Sequence, residues 1–229
     1  MLERIVEILQ HHDADIVLLQ EVDWGAPRSG RMNLAAHLAR RLGYRYRALG
    51  LNVHLRRGMY GNATLSRFPF GRQRNIDLTL GGKKARGAQH TQIRLTETWH
   101  PVELELFNVH LSLSAAMRRR QIAHLLETED VATVERASPC VVAGDMNDWL
   151  HVLQPLLFAP AGFRCATNRR PGSRRSIKTY PSFAPTGGLD KIFYRGRLKL
   201  LHVHRSRLKL ARVASDHLPV IADFELRRT

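Results

Sequence analysis

The 229-residue chain has only two cysteines, Cys140 and Cys165. That is too few for a disulfide scaffold or a cysteine-based zinc module, and a reducing, cytoplasmic setting is the default expectation. No apolar run reaches the roughly 18 residues that a membrane-spanning helix needs, so no integral membrane association is expected. The opening MLERIVEILQHHDADIV has helical periodicity and early charges in place of the apolar core of a signal peptide. Acidic residues are scarce, 20 Asp+Glu against 36 Lys+Arg, which gives a formal net charge of +16. Clustered bases attract phosphates by releasing counterions. Here, however, 30 of the 36 are Arg, spread along the whole chain, as a general Arg preference would also produce. The charge supports an anionic ligand without naming it. A hydrophobic content of 44% excludes a disordered chain. With no internal repeat and no Pro/Gly/Ser tract to divide it, residues 1–229 read as one domain.

Leu2, Ile5, Val6 and Leu9 recur at helical spacing, so 2–11 is expected to be a helix. The run from Asp15 through IVLLQEV has strand length and is apolar throughout, as in a strand covered on both faces. Residues 33–42 read as a second helix stopped by Gly43. Short strands broken by Gly, Pro and Asn follow around 44–51, 63–66, 75–80, 92–96 and 102–109. One long amphipathic helix is expected over 115–135, with Ile122, Leu125 and Leu126 on its apolar side. The strand CVVAG comes next, then a polar, basic loop over 164–176, and closing strands near 189–194, 198–203 and 218–225. Strands and helices mix without regular βαβ alternation, which favours a mixed sandwich over a doubly wound sheet.

Acidic and amide residues stand where the apolar strands end: Glu21 in LLQEVD, Asp145 and Asn147 in VVAGDMNDW, Asp190 in GLDKIFY and Asp216 in ASDHLPV. Rigid strand ends aim such groups into a loop-lined crevice. A set of oxygen donors suits a hard cation, Mg²⁺ or Mn²⁺, better than zinc. Each of these residues alone is an ordinary strand terminator. Their order is more informative. LLQEVD, GNATLSRFP, NVHLS, VVAGDMND, LDKIFY and SDHLPV together resemble the endonuclease/exonuclease/phosphatase superfamily over nearly the full chain, GDMN and SDHLP most specifically.

That resemblance implies an α/β fold: a four-layer sandwich of two mixed sheets flanked by helices. It also implies divalent-metal-dependent hydrolysis of phosphoester bonds. Glu21 matches the metal-binding Glu, with Asp216 as a second carboxylate on the same ion. Asp145 matches the group that orients or deprotonates the attacking water, and Asn147 bonds that water or a phosphate oxygen. His217 stabilises charge on a non-bridging oxygen, and Asp190 holds the other nitrogen of its ring. His110 matches a second phosphate-facing His. Asn62, Arg86 and Trp149 are candidate substrate-binding residues, Trp149 by stacking on a base or sugar. Packing explains Trp149 and Trp24 equally well. Lys84 stands where many relatives have an acidic residue.

Relatives also begin with a strand of the pattern T-x-N-[IV], which has no counterpart before LERIVEIL. A sheet interior short of one strand should expose backbone groups and apolar surface, and the exposed edge then invites self-association. Two functions from different classes remain: a metal-dependent phosphodiesterase or phosphomonoesterase, and a catalytically weak, basic nucleic-acid-binding domain on the same scaffold. The substrate is a phosphoester in nucleic acid, a phospholipid head group or a small molecule. A serine hydrolase is disfavoured, because no G-x-S-x-G elbow is present and the carboxylates would be unexplained.

Overall fold

The computed structural model describes residues 1–95, 102–168, 173 and 175–227. Its elements run in the order α1 (Leu2–His12), β1 (Ile16–Trp24), α2 (Leu34–Leu42), β2 (Tyr46–His54), β3 (Met59–Ser66), β4 (Phe70–Asp77), β5 (Gly87–Leu95) and β6 (Val102–His110). They continue with α3 (Ala115–Glu127), α4 (Glu129–Ala132), β7 (Cys140–Asp145), β8 (Arg164–Cys165), β9 (Asp190–Arg195), β10 (Leu198–Arg205), α5 (Ala211–Ala214) and β11 (Val220–Leu226). A six-stranded sheet has the order β4-β5-β6-β7-β9-β8, with β6 and β7 parallel and the other neighbours antiparallel.

Strand alternation builds the layers. Phe107 and Val109 on β6, Val142 on β7 and Phe193 on β9 point to one face, where they bury Ile122 and Leu125 of α3. Leu104, Leu106, Val141, Ala143 and Tyr194 point to the other face and meet Ile16 and Leu18 of β1 and Phe224 of β11. The outer face of β1 and β3 is covered by Val6 of α1 and by Ala35 and Leu38 of α2. The result is helix, sheet, sheet, helix, the expected four-layer sandwich.

The second β layer is divided. β1-β3-β2 form one sheet and β10-β11 another. Among the described residues β1 pairs only with β3, and β11 only with β10. Ile16, Leu18, Phe224 and Leu226 pack on the shared core but stay half-buried. This is the apolar exposure expected of a layer interrupted between two edges.

Several local expectations are corrected. The strand expected at 63–66 begins at Met59, the one at 75–80 runs over Phe70–Asp77, and the one at 92–96 runs over Gly87–Leu95. The helix over 115–135 is interrupted: Thr128 takes extended backbone (φ −63°, ψ 149°), and its hydroxyl donates to the Leu125 carbonyl at 2.7 Å, so a four-residue α4 starts afresh. A local side-chain bond of this kind competes with helix propagation. The loop over 164–176 is not wholly irregular, because Arg164 and Cys165 pair with β9 and Asn168 bridges to Ser176. Residues 169–172 and 174 of that loop, and Thr96 of the expected strand 92–96, lie outside the described residues. Among the described residues no helix is long and apolar enough to cross a membrane.

Gly144 explains how β6 and β7 can run so close. Its φ is +138°, and a Cβ there would lie 2.0 Å from the Val109 carbonyl oxygen. Both the conformation and the space admit only glycine. Gly144→Ala is therefore expected to cost about 3–5 kcal/mol and lower Tm by roughly 10 °C. Thermal unfolding followed by circular dichroism checks this; an unchanged Tm would contradict the close approach.

Candidate active site

Register alone aligns three candidate residues. In the parallel β6–β7 pair His110 lies opposite Asp145, and in the antiparallel β7–β9 pair Asp145 lies opposite Asp190. The three stand in a row across neighbouring strand ends. The segment before β11 then brings His217 to Asp190, with Nδ1 2.8 Å from Oδ2. Ligand atoms of Asp145, Asp190 and His217 all lie within 4.8 Å of one another. His110 Nε2 is 3.5 Å from Asp145 Oδ2.

Burial and charge divide the protons among them. Burial pushes the Asp145 carboxyl up to about 6, and the negative Asp190 adds to it, against the pull of His217, the Asn147 backbone N–H and Arg86. Burial alone would discharge the His217 ring. The Asp190 hydrogen bond and the charges of Asp190, Asp145 and Asp216 outweigh it and raise the ring to about 9. His110 goes the other way, down to about 3, through burial and the nearby Arg86, Lys84 and His217. At neutral pH the site therefore holds an imidazolium at His217 and a neutral imidazole at His110. The 3.5 Å contact of His110 with Asp145 is accordingly not an ion pair.

A cleft leads from this row to β1 and is lined by Glu21, Tyr60, Asn62, Arg86 and His110 among others. Glu21 sits at a register shift of β1 between Leu19 and Val22, with a φ of +56°. A left-handed non-glycine residue on a bulge is costly backbone, and such strain gathers at functional sites. Lys84 Nζ lies 3.8 Å from Glu21 Oε1 and 5.4 Å from the Tyr60 ring centroid, so an ammonium is the present counter-charge of this carboxylate. The buried Arg86 guanidinium lines the same cleft.

The remaining candidates have specific placements. Asn147 also has positive φ (50°); its backbone N–H donates to Asp145 Oδ1 at 2.9 Å, and its amide nitrogen donates to the Leu111 carbonyl at 3.0 Å. It thus clamps the β7 turn to the segment after β6. The Asn62 amide nitrogen donates to the Gly87 and Asn108 carbonyls at 3.2 and 2.9 Å, joining β3, β5 and β6. Trp149 is half-exposed, edge-on to Tyr180 at 5.7 Å, and Tyr180 in turn lies 4.9 Å from the His217 ring. Asp216 is exposed, with Ser215 Oγ at 3.4 Å and its backbone oxygen accepting from Ser182. The ligand cluster among the described residues does not include Glu21 or Asp216.

Several contributors carried no sequence signal. Thr179 donates to Asp190 Oδ2 at 2.5 Å, the same oxygen that faces His217. Lys191, buried on the opposite side of β9 from Asp190, lies 2.6 Å from His151 Nδ1 and anchors the turn after β7. Arg118 of α3 donates to the Ser112 and Leu113 carbonyls, fixing the segment after His110. Thr, Lys and Arg are too common for any of these to be recognised from spacing.

The family model described as Endonuclease/Exonuclease/phosphatase family matches residues 2–217. The chain is 32% identical over 179 residues to the uncharacterized protein YbhP of Escherichia coli (strain K12), covering 78% of this chain and 68% of that protein. An endonuclease/exonuclease/phosphatase structure from Beutenbergia cavernae DSM 12333 superposes with a TM-score of 0.76 at 22% identity, over 99% of this chain but 66% of that one. The mannosyl-6-phosphatase Bt3783 of Bacteroides thetaiotaomicron superposes with a TM-score of 0.69 at 19% identity, over 98% of this chain and 90% of that one. These two likenesses concern the fold.

Proposed function

Because the chain belongs to the endonuclease/exonuclease/phosphatase family, we propose that it hydrolyses phosphoester bonds with the help of Mg²⁺ or Mn²⁺. The observation that carries this reading is the Asp145–Asp190–His217 cluster: a base-type carboxylate beside a carboxylate-supported imidazolium, at the end of two paired strands. Carboxylates at the strand ends, with no thiolate among them, suit a hard divalent cation, and Glu21 stands free of the Asp145–Asp190–His217 cluster on the cleft wall. Glu21 and Asp216 are the residues that would hold it, with Lys84 giving up Glu21. When bound, the ion supplies charge neutralisation for the phosphate and the leaving oxygen.

The chain's own groups divide the remaining work. Asp145 takes a proton from water, whose oxygen bonds to phosphorus as the ester P–O bond breaks. The departing alkoxide is protonated by solvent. His217 donates to a non-bridging oxygen as negative charge grows there, and Asp190, held by Thr179, keeps the ring charged and oriented. Arg86 and neutral His110 supply further donors in the cleft. The partner is thus a phosphoester substrate, nucleic acid included, and the open edges of β1 and β11 offer a pairing surface to a second copy of the chain.

Hydrolysis of an aryl phosphodiester is expected with either metal and is expected to stop with EDTA; a protein without turnover under both metals would leave the binding-domain alternative standing. Glu21→Gln, which keeps the side-chain size while removing the charge, is expected to weaken Mn²⁺ by about tenfold or more in calorimetric titration. Equal affinity in both proteins would remove Glu21 from the metal site.

A further inference from the structure

Exposed apolar side chains stand on three separate segments on the His217 side of the site. Trp149 and Leu150 follow the Asp145–Asn147 turn and are 47% and 69% exposed. Phe183, 72% exposed, stands near the tip of a compact loop closed at its base by the Tyr180–Gly187 bridge. Val213 of α5 is 61% exposed. The three segments are contiguous. The Trp149 ring packs on Tyr180 and so closely on Gly187 that a Cβ there would lie 2.7 Å away. Ser182, beside Phe183, donates through Oγ to the Arg212 carbonyl at 3.0 Å and through its backbone N–H to the Asp216 carbonyl at 2.7 Å. Tyr180 then reaches the His217 ring.

Single exposed apolar residues are ordinary, but several on contacting segments beside the Asp145–Asp190–His217 cluster are not. Exposed Lys178, Lys209 and Arg212 lie in the same segments, against the one exposed acid Asp216. Apolar tips flanked by bases match an anionic bilayer, in which the tips enter the acyl boundary and the bases meet head groups. A nucleic-acid strand fits less well. Only Phe183 offers a free ring to stack on a base; Leu150 and Val213 have none, and one part of the Trp149 ring is already covered by Gly187 and Tyr180.

We propose that these side chains dock the protein on anionic phospholipid surfaces and that its substrate is a phosphoester presented there, in a phospholipid head group. The substrate half rests on the hydrolase reading above; the docking half does not. The test is co-sedimentation of the full chain, in EDTA, with vesicles of phosphatidylcholine alone or mixed equally with phosphatidylglycerol. Wild type is expected to pellet with the mixed vesicles only. The double variant Leu150→Ser/Phe183→Ser is expected to lose about 10- to 100-fold in partitioning, because two large apolar side chains no longer enter the lipid. Lys209→Glu/Arg212→Glu should lose binding as well, through charge alone, and all proteins should hydrolyse the soluble aryl phosphodiester equally.

Wild type remaining in the supernatant, or a double variant that pellets as wild type does, overturns the proposal. Turnover of the soluble ester without vesicle binding would overturn docking and spare the hydrolase reading. Vesicle binding that depends on these side chains, without any turnover, would do the reverse. Retention on a single-stranded oligonucleotide that is lost in the Leu150/Phe183 variant, with no vesicle binding, would assign these side chains to nucleic acid and retire the lipid proposal.

Discussion

Asp145→Asn is expected to lower kcat on an aryl phosphodiester by about 10²- to 10⁴-fold, the usual contribution of a positioned general base. The same variant is expected to be no less stable than wild type above pH 7. The amide oxygen can still accept from the Asn147 backbone N–H, so the turn keeps its clamp. The carboxylate, by contrast, is ionised at a cost: burial and Asp190 push it up to about 6. A folded-state value above the unfolded one means that the native state holds the proton more tightly. Stability therefore falls as pH rises from about 4 to about 6, by roughly 2–3 kcal/mol, and stays lower above that range. The amide does not carry this cost. Loss of activity with retained or increased stability marks a residue kept for chemistry. The comparison requires kcat and Tm for both proteins at pH 8. An Asn variant with wild-type kcat would show that Asp145 is not the base.

Asp190→Asn is expected to move the alkaline limb of the pH–rate profile downward from about 9. The reasoning starts from His217, raised to about 9 against its own burial chiefly by the Asp190 hydrogen bond and charge. The useful form is the imidazolium, which is present below that value and lost above it. An amide can still accept the ring N–H, but it supplies no negative charge, so the buried ring returns toward its ordinary range or below. At pH 8 the wild-type ring is mostly charged and the variant ring mostly neutral, so activity there should drop about tenfold or more. The deficit should shrink toward pH 6, where the variant ring regains its charge. A merely structural role for Asp190 would lower the whole profile without shifting it. Stability should move in step. The raised His217 stabilises the fold fully below the unfolded value near 6.5, and this contribution disappears as pH passes about 9. A profile of unchanged shape in the variant would separate Asp190 from His217 functionally.

The sequence by itself determined where most strands and helices lie, but not all of their ends: the strand expected at 75–80 runs over Phe70–Asp77 and the one at 92–96 over Gly87–Leu95. Periodicity placed α1, α2 and β7 to within a residue or two, because each buries one well-defined set of apolar side chains. It could not foresee the break at Thr128, where one hydroxyl finds a nearby carbonyl, or the pairing of Arg164 and Cys165, which depends on a strand more than twenty residues away. The candidate site divides in the same way. Asp145, Asp190, His110 and His217 were legible as candidates, since strand-terminating carboxylates and the NVHLS and SDHLP motifs mark them in the linear chain. Their union was not, because it comes from register: β6, β7 and β9 must pair with His110, Asp145 and Asp190 level before His217 has anything to meet. Protonation likewise belongs to the tertiary structure alone. Two histidines with the same intrinsic affinity for a proton end near 3 and near 9, one buried beside Arg86 and Lys84, the other bonded to a carboxylate. A sequence records which groups can titrate, but the energy of each charge depends on solvent exclusion and on neighbours within a few ångströms, and only the packed chain fixes those.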